Sequence, residues 1–210
     1  MCGDSMKASL ALPSALLVGL LLLVPTPGTR AEEAHDHSQH RRMMKDATLK
    51  RSTSVYPIPD VGLIDQDGKK VELKALLNSD KPVMLNFVFA TCTTICPVLS
   101  AGFAEFRRRL GADVADVQFV SVTIDPEHDT AEVLKDYGNR FHADQGWVFL
   151  TGKRVDIDRV TKAFGAYVTN KMNHRPVTYM RAPGTEAWVK VDGLMGGSDY
   201  ATEYATLMGK

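Results

Sequence analysis

The chain carries a Cys-x-x-x-Cys-Pro segment just after a continuous apolar run at residues 82–90 (PVMLNFVFA). Such a run predicts a strand that is buried on both faces. Proline is favoured at the first position of a helix, so Pro97 is expected to open one and to leave Cys96 at its N-cap. The helix dipole lowers the pKa of a thiol in that position, which favours metal binding and nucleophilic attack. We therefore expect the functional site at this junction of strand and helix.

The spacing of Cys92 and Cys96 restricts how the two sulfurs can be used. Residues four apart on a regular helix have Cβ atoms roughly 5–6 Å apart, whereas a disulfide needs about 3.5–4.5 Å. Cys92 is therefore expected in a loop that can close or relax, while the helix fixes Cys96. Such a pair can hold a soft metal ion when it is reduced and form a bridge when it is oxidised. The alternatives are two buried structural cysteines or a static disulfide in an exported protein.

Strands alternate with helical stretches through the rest of the chain, which predicts a single three-layer α/β domain at residues 55–210. A cysteine pair where the central strand meets its helix is the thioredoxin-like arrangement. Asp129 and Ser198 are expected to cap helices. The predicted elements are strands at 71–73, 117–124 and 147–150, helices at 97–110, 130–141 and 155–166, a hairpin of 177–180 with 188–191, and a last helix to about 208.

Residues 1–31 have the pattern of an export segment. An apolar stretch at residues 8–24 follows Lys7, and small residues precede a cleavage position between Ala31 and Glu32. The same stretch is also long enough for an uncleaved membrane anchor, since roughly 17–25 apolar residues span a bilayer. Either interpretation places the domain outside the cytoplasm, in the periplasm or on the outer face of the inner membrane.

Residues 32–54 form a polar, aperiodic lead-in that is expected to be a disordered linker. Imidazole and thioether groups are concentrated there and suit copper or zinc, so a transient metal-collecting arm is one interpretation and a solvated linker is the other. The formal net charge of the whole chain is zero, which gives no support for nucleic-acid binding. The clustered side chains are His35, His37, His40, Met43 and Met44.

Three segments of the chain together resemble one known family. They are VMLNFVFATCTTICPVLS, VQFVSVTIDPEHDTAEVLKDYGNRF and NHRPVTYM, and the resemblance covers residues 56–208. The chain is similar to the Sco/SenC copper chaperones, which take part in the assembly of cytochrome c oxidase. The resemblance implies a thioredoxin-like fold with inserted elements and a central mixed sheet.

Carried over residue by residue, the resemblance implies that Cys92, Cys96 and His174 bind copper. Asp125 matches an aspartate that the family links to folding of the site or to partner contact. Two thiolates and an imidazole suit three-coordinate Cu(I), and a fourth donor would suit Cu(II). The implied function is a monomeric copper metallochaperone that delivers the ion to the dinuclear copper centre of an apo cytochrome c oxidase subunit. Copper transfer in an oxidising compartment also implies a thiol reductant protein.

The sequence keeps a second function open, that of a thiol–disulfide oxidoreductase that reduces cysteines of a target protein. The stretch after His174 departs from the family at residues 175–178, and Pro176 lies near the position where thioredoxins keep a cis-proline. Cys92 and Cys96 would then be the working pair, with His174 tuning them. A peroxide-reducing relative of the same fold is a third interpretation. The sequence alone therefore does not decide between two classes of function, a metal carrier and an enzyme.

Overall fold

The computed structural model describes residues 49–143 and 146–209. Its strands are β1 (Lys50–Val55), β2 (Gly62–Asp65), β3 (Lys70–Glu72), β4 (Val83–Val88), β5 (Gln118–Thr123), β6 (Trp147–Thr151), β7 (Val177–Arg181) and β8 (Ala187–Asp192). Its α-helices are α1 (Leu73–Leu77), α2 (Ile95–Leu110), α3 (Ala131–Asn139), α4 (Arg154–Ala163) and α5 (Gly197–Leu207), with 3₁₀ turns at Gly111–Asp116 and Lys171–Asn173. The predicted export segment at 1–31 and the histidine and methionine cluster at 35–44 lie outside the described residues. Within those residues, no helix is long and apolar enough to cross a membrane.

The strands form one mixed sheet in the order β1-β8-β7-β4-β5-β6-β2-β3. β4, β5 and β6 are parallel neighbours, and the other pairings are antiparallel. Leu85 and Phe87 of β4 pack in one apolar cluster with α1 and α4, while Met84 packs in a second cluster with α2, α3 and α5. These helix, sheet and helix layers confirm the predicted three-layer α/β fold with a mixed central sheet.

The topology brings the predicted site residues to one end of the sheet. β4 leads directly into the loop that carries the cysteine pair, and β7 begins shortly after His174. The antiparallel register sets Asn86 opposite Thr178, so the end of β4 lies beside the start of β7. Asp125 follows β5, which runs parallel to β4 and therefore ends on the same side.

The predicted disordered linker is wrong at its C-terminal end, because residues 50–54 belong to β1. This strand pairs antiparallel with β8, from Lys50 opposite Asp192 to Val55 opposite Ala187. Every residue of β1 is exposed. Its sequence, KRSTSV, lacks the apolar alternation by which a half-buried strand is recognised, so the strand was not predicted. Backbone hydrogen bonding to the sheet, and not burial of side chains, defines this strand.

Both predicted helix caps are wrong. Thr130 caps α3, and its hydroxyl accepts a first-turn N–H at 3.3 Å. Asp129 precedes it but is buried and uses its carboxylate elsewhere. α5 begins after Gly196, whose N–H is accepted by the Asp199 carboxylate at 2.9 Å, so Ser198 lies inside the helix. In both places a polar neighbour of the expected residue accepts one N–H group at the start of the helix.

Helix α2 packs so closely against the start of α5 that only glycine fits at Gly102. A Cβ atom there would lie 2.3 Å from the Met195 carbonyl oxygen and 2.7 Å from the Tyr200 ring. We expect Gly102→Ala to lower the free energy of unfolding by about 1–3 kcal/mol, because overpacking forces the elements apart. Denaturant unfolding measures the loss. Gly62→Ala is the matched control, since its Cβ would meet nothing closer than 3.5 Å; an equal loss in both variants would contradict the packing argument.

Candidate metal centre

The cysteine pair lies where the central strand passes into its helix, as predicted, but the helix starts earlier than expected. α2 begins at Ile95 with Thr94 at its N-cap, so Cys96 is inside the first turn rather than at the cap. Pro97 is tolerated there because N–H groups of the first turn have no acceptor within the helix. The expectation that Pro97 opens the helix and leaves Cys96 at the N-cap is therefore wrong.

The sulfur of Cys92 takes part in closing the start of α2. The N–H of Cys96 points to the Cys92 Sγ at 3.4 Å, and the Thr94 hydroxyl lies 3.7 Å from the same sulfur. The N–H of Cys92 is in turn donated to the Phe89 carbonyl at 3.1 Å. Both cysteines are free thiols; the Cys92 residue is 8% exposed and Cys96 is fully buried. The loop thus folds back so that the first sulfur lies over the N-terminus of the helix.

The structure reverses the expected acidity of the two thiols. Burial raises the pKa of Cys96 far above its usual value, and its hydrogen bond to Cys92 acts in the same direction. Burial also acts against ionisation of Cys92, but the hydrogen bonds from Cys96 and Thr94 outweigh it and lower the pKa of that thiol. The prediction that Cys96 is the activated thiol is therefore wrong: the N–H groups that stabilise a thiolate point to Cys92.

His174 directly follows the 3₁₀ turn Lys171–Asn173, and its backbone N–H is donated to the Lys171 carbonyl at 3.1 Å. Its side chain is buried, and burial lowers its pKa more than the hydrogen bond with the Phe87 backbone raises it. Within the described residues, its Nε2 atom is buried and has no hydrogen-bond partner. A neutral imidazole with one nitrogen held by a backbone group and the other unpartnered is in the form that binds a metal.

Phe89 is the common neighbour of the three predicted ligands. Its carbonyl accepts the Cys92 N–H, its backbone hydrogen-bonds with the Cys96 sulfur, and its ring meets the His174 ring edge-on with centroids 6.4 Å apart. The two cysteines are in direct contact, but in residues 49–143 and 146–209 no three His, Cys, Asp or Glu side chains are close enough to hold a metal ion. The three donors share one neighbourhood without forming a ready-made coordination site.

The Asp125 carboxylate is held by two neighbouring side chains. One carboxylate oxygen lies 2.5 Å from Lys171 Nζ, and the other lies 3.0 Å from His128 Nδ1. Burial would raise the pKa of Asp125, but the hydrogen bonds from Lys171 and His128 outweigh it and keep that pKa below its ordinary value. No sequence signal links Lys171 or His128 to the site, since neither forms a motif with the aspartate.

Asp129 is a buried carboxylate near the cysteine pair. The sequence predicted a different role for it, that of a helix cap. It accepts the Thr123 hydroxyl at 2.5 Å and the Ala90 N–H at 3.1 Å, and burial raises its pKa. It thereby ties the end of β5 to the loop that carries Cys92. The nearest signal in the sequence is its position four residues after Asp125, which also fits a helix cap.

Comparison with known proteins gives the family. The profile of the SCO1/SenC family matches residues 58–201. A SCO1 protein homolog of Bacillus subtilis is 33% identical over 147 residues, which cover 66% of this chain and 75% of that protein. The mitochondrial SCO1 homolog 1 of Arabidopsis thaliana is 30% identical over 167 residues, which cover 70% of this chain and 48% of that protein, so the chain spans about half the length of this relative.

Solved structures of the same family share the fold. BsSco, described as a Sco family cytochrome c oxidase assembly protein with a disulfide switch, is 26% identical with a TM-score of 0.61, covering 74% of this chain and 95% of its own. The copper-bound ScoI of Bradyrhizobium japonicum is 24% identical with a TM-score of 0.60, covering 73% of this chain and 99% of its own. These likenesses confirm the predicted thioredoxin-like fold. The chain belongs to the SCO1/SenC family.

Proposed function

We propose that this protein is a copper metallochaperone that binds Cu(I) through Cys92, Cys96 and His174. One observation carries the proposal. Two free thiols in direct contact at the start of α2 and a buried, unpartnered His174 Nε2 all converge on Phe89. A buried imidazole nitrogen without a partner is costly unless it has a function, and a metal ion would satisfy it.

The chemistry of the donor set favours copper among the common metals. Soft thiolates select Cu(I), and two thiolates with one imidazole make a three-coordinate site of the kind that this ion accepts. A fourth donor would also allow Cu(II). The copper-bound ScoI supports this choice of metal from within the family.

The arrangement suits a carried ion better than a permanent one. The donors belong to two separate segments, the loop before α2 and the turn before β7, so a recipient can replace them one at a time by ligand exchange. The recipient in this proposal is the dinuclear copper centre of an apo cytochrome c oxidase subunit, in line with the description of BsSco as an oxidase assembly protein. We propose that the protein acts as a monomer.

The proposed location is the periplasm or the outer face of the inner membrane. It is supported by the apolar stretch at residues 8–24, which fits either a cleaved signal or an anchor. Cys92 and Cys96 would oxidise in that compartment, because free thiols are not kept reduced there. A thiol reductant protein must therefore keep the pair ready for copper.

A second candidate function, thiol–disulfide exchange, is favoured by the lowered pKa of Cys92. The Cys92 thiolate would attack a disulfide of the target and form a mixed disulfide, releasing one target thiolate. The Cys96 sulfur, on losing its proton, would then attack Cys92, releasing the second target thiolate and leaving a Cys92–Cys96 disulfide. Two electrons pass to the target, and the reductant protein restores them.

Rescue of a strain that lacks the gene separates the two functions. If the protein delivers copper, excess copper in the medium should restore cytochrome c oxidase activity, because mass action replaces the carrier. A membrane-permeant thiol reductant without added copper should not restore it. Complementation with the wild-type gene and with a Cys92→Ser, Cys96→Ser double variant supplies the positive and negative controls. Restoration by the reductant alone would favour the oxidoreductase.

A further inference from the structure

We propose that Lys171 is a positioning residue that holds His174 beside the cysteine pair. This inference rests on the proposed copper function and deepens it. Lys171 is not a ligand in this account. Its side chain fastens the turn that carries His174 to two fixed points, Asp125 at the end of β5 and Phe89 in the loop that carries Cys92.

The first fixed point is an ion pair at the end of the sheet. Lys171 Nζ lies 2.5 Å from Asp125 Oδ2, and the Asp125 side chain is only 6% exposed. Asp125 is itself immobilised, because its backbone N–H is donated to the Thr123 hydroxyl at 2.9 Å and its other carboxylate oxygen contacts His128. An ion pair to a buried and fixed carboxylate is screened less than one between two exposed side chains.

The second fixed point is Phe89, the residue that all three proposed ligands contact. Lys171 Nζ lies 5.3 Å from the centroid of the Phe89 ring, which is within the range of a cation–π contact. The Phe89 carbonyl accepts the N–H of Cys92, and its ring contacts His174. One ammonium group thus connects the loop of the cysteines with the turn of the histidine.

The backbone of Lys171 completes the connection to His174. Its carbonyl accepts the His174 N–H at 3.1 Å, so a displacement of Lys171 displaces the histidine as well. The 3₁₀ turn buries none of its own residues, and Met172 is 68% exposed. Lys171 is the half-buried residue of this turn, and its ammonium group reaches Asp125 at the end of β5.

Lys171→Met is the test variant, because it keeps an unbranched side chain of similar length and removes the charge. We expect the affinity of the reduced full-length protein for Cu(I) to fall by roughly 10–100-fold, the range found when outer partners of metal ligands are lost. Lys171→Arg is the matched control: arginine keeps the cation for Asp125 and Phe89, so its affinity should stay close to that of the wild type. Competition with a chromophoric Cu(I) chelator measures all three proteins.

A double-variant cycle with His174→Ala separates positioning from a general effect on the fold. If Lys171 acts through His174, then Lys171→Met should cause no further loss of affinity when His174 is already alanine. Equal losses in both backgrounds would overturn the inference. Thermal unfolding of the apo proteins accompanies the titrations, and electron paramagnetic resonance of the Cu(II) forms reports directly whether a nitrogen ligand is retained in Lys171→Met.

The cycle also distinguishes the two ways in which this account can fail. If His174→Ala binds Cu(I) as tightly as the wild type, the role of His174 in the proposed function is wrong, and the positioning role of Lys171 is wrong with it. If His174→Ala weakens binding but Lys171→Met does not, the copper site stands and the role of Lys171 alone is overturned.

Discussion

Cys96→Ser should abolish stoichiometric Cu(I) binding by the reduced protein. Serine is close in size to cysteine, but its hydroxyl stays protonated at neutral pH and is a hard donor, whereas Cu(I) selects soft thiolates. The position is fully buried on α2, so the helix holds the side chain at the site whatever its chemistry. Cys92 would be left as a single thiolate, which cannot hold the ion against a competing chelator.

The measurement is the number of copper ions bound per chain. The protein is loaded with Cu(I) in the absence of oxygen and then desalted in the presence of a chelator that removes weakly bound ions. Cys2→Ser, made in the protein that retains residues 1–31, is the matched control, because it removes a cysteine outside the Cys-x-x-x-Cys segment and should leave the copper content unchanged. Thermal unfolding establishes that Cys96→Ser is folded. A folded Cys96→Ser protein that keeps its copper would exclude the paired thiolates as the binding site.

Iodoacetamide should modify Cys92 well before Cys96 in the reduced, copper-free protein. Burial opposes ionisation of Cys92, but the hydrogen bonds from Cys96 and Thr94 outweigh it and lower the pKa of the Cys92 thiol. Cys96 is fully buried, and burial raises the pKa of its thiol. Because the thiolate is the reacting form, we expect at least a roughly tenfold difference in rate.

Quenched time points and fragment mass spectrometry assign the modified position, and the protein unfolded in denaturant is the control in which both cysteines should react alike. Faster modification of Cys96 would contradict the arrangement at the start of α2. The result also bears on the second candidate function, because the thiol that reacts first with iodoacetamide is the one that would attack a target disulfide.

The position of the site was predictable because its signals are local or follow from chain topology. An apolar run without alternation identifies the central strand, and the cysteine segment follows it directly. The hairpin at 177–180 and 188–191 was recognisable from its turn, and His174 lies just before the start of β7, which pairs with the end of β4. The strand and the hairpin need only periodicity and turn residues, whereas His174 was singled out by the resemblance to the Sco/SenC family.

The electrostatics of the site were not predictable from the same signals. Which thiol is acidic depends on where Cys92 folds back over the helix, a feature of the loop and not of the spacing. Asp129 has the sequence context of a cap, and only its burial against Thr123 and Ala90 reveals its other role. The link between Asp125 and Lys171 spans 46 positions of the chain, and no local pattern encodes it.

The close packing at Gly102 affects how a partner protein could distinguish the metal-free, metal-bound and oxidised forms of this protein. Helix α2 is wedged against the Met195 carbonyl and Tyr200, so Cys96 belongs to a part of the molecule that has no room to shift towards α5. In the proposed function, an adjustment that accompanies gain or loss of the ion, or formation of a bridge, would then fall on the short connection from Phe89 to Thr94 or on the turn before His174. A partner that contacts the connection from Phe89 to Thr94 would meet a different surface in each of these forms. It could distinguish them without contacting the sulfurs.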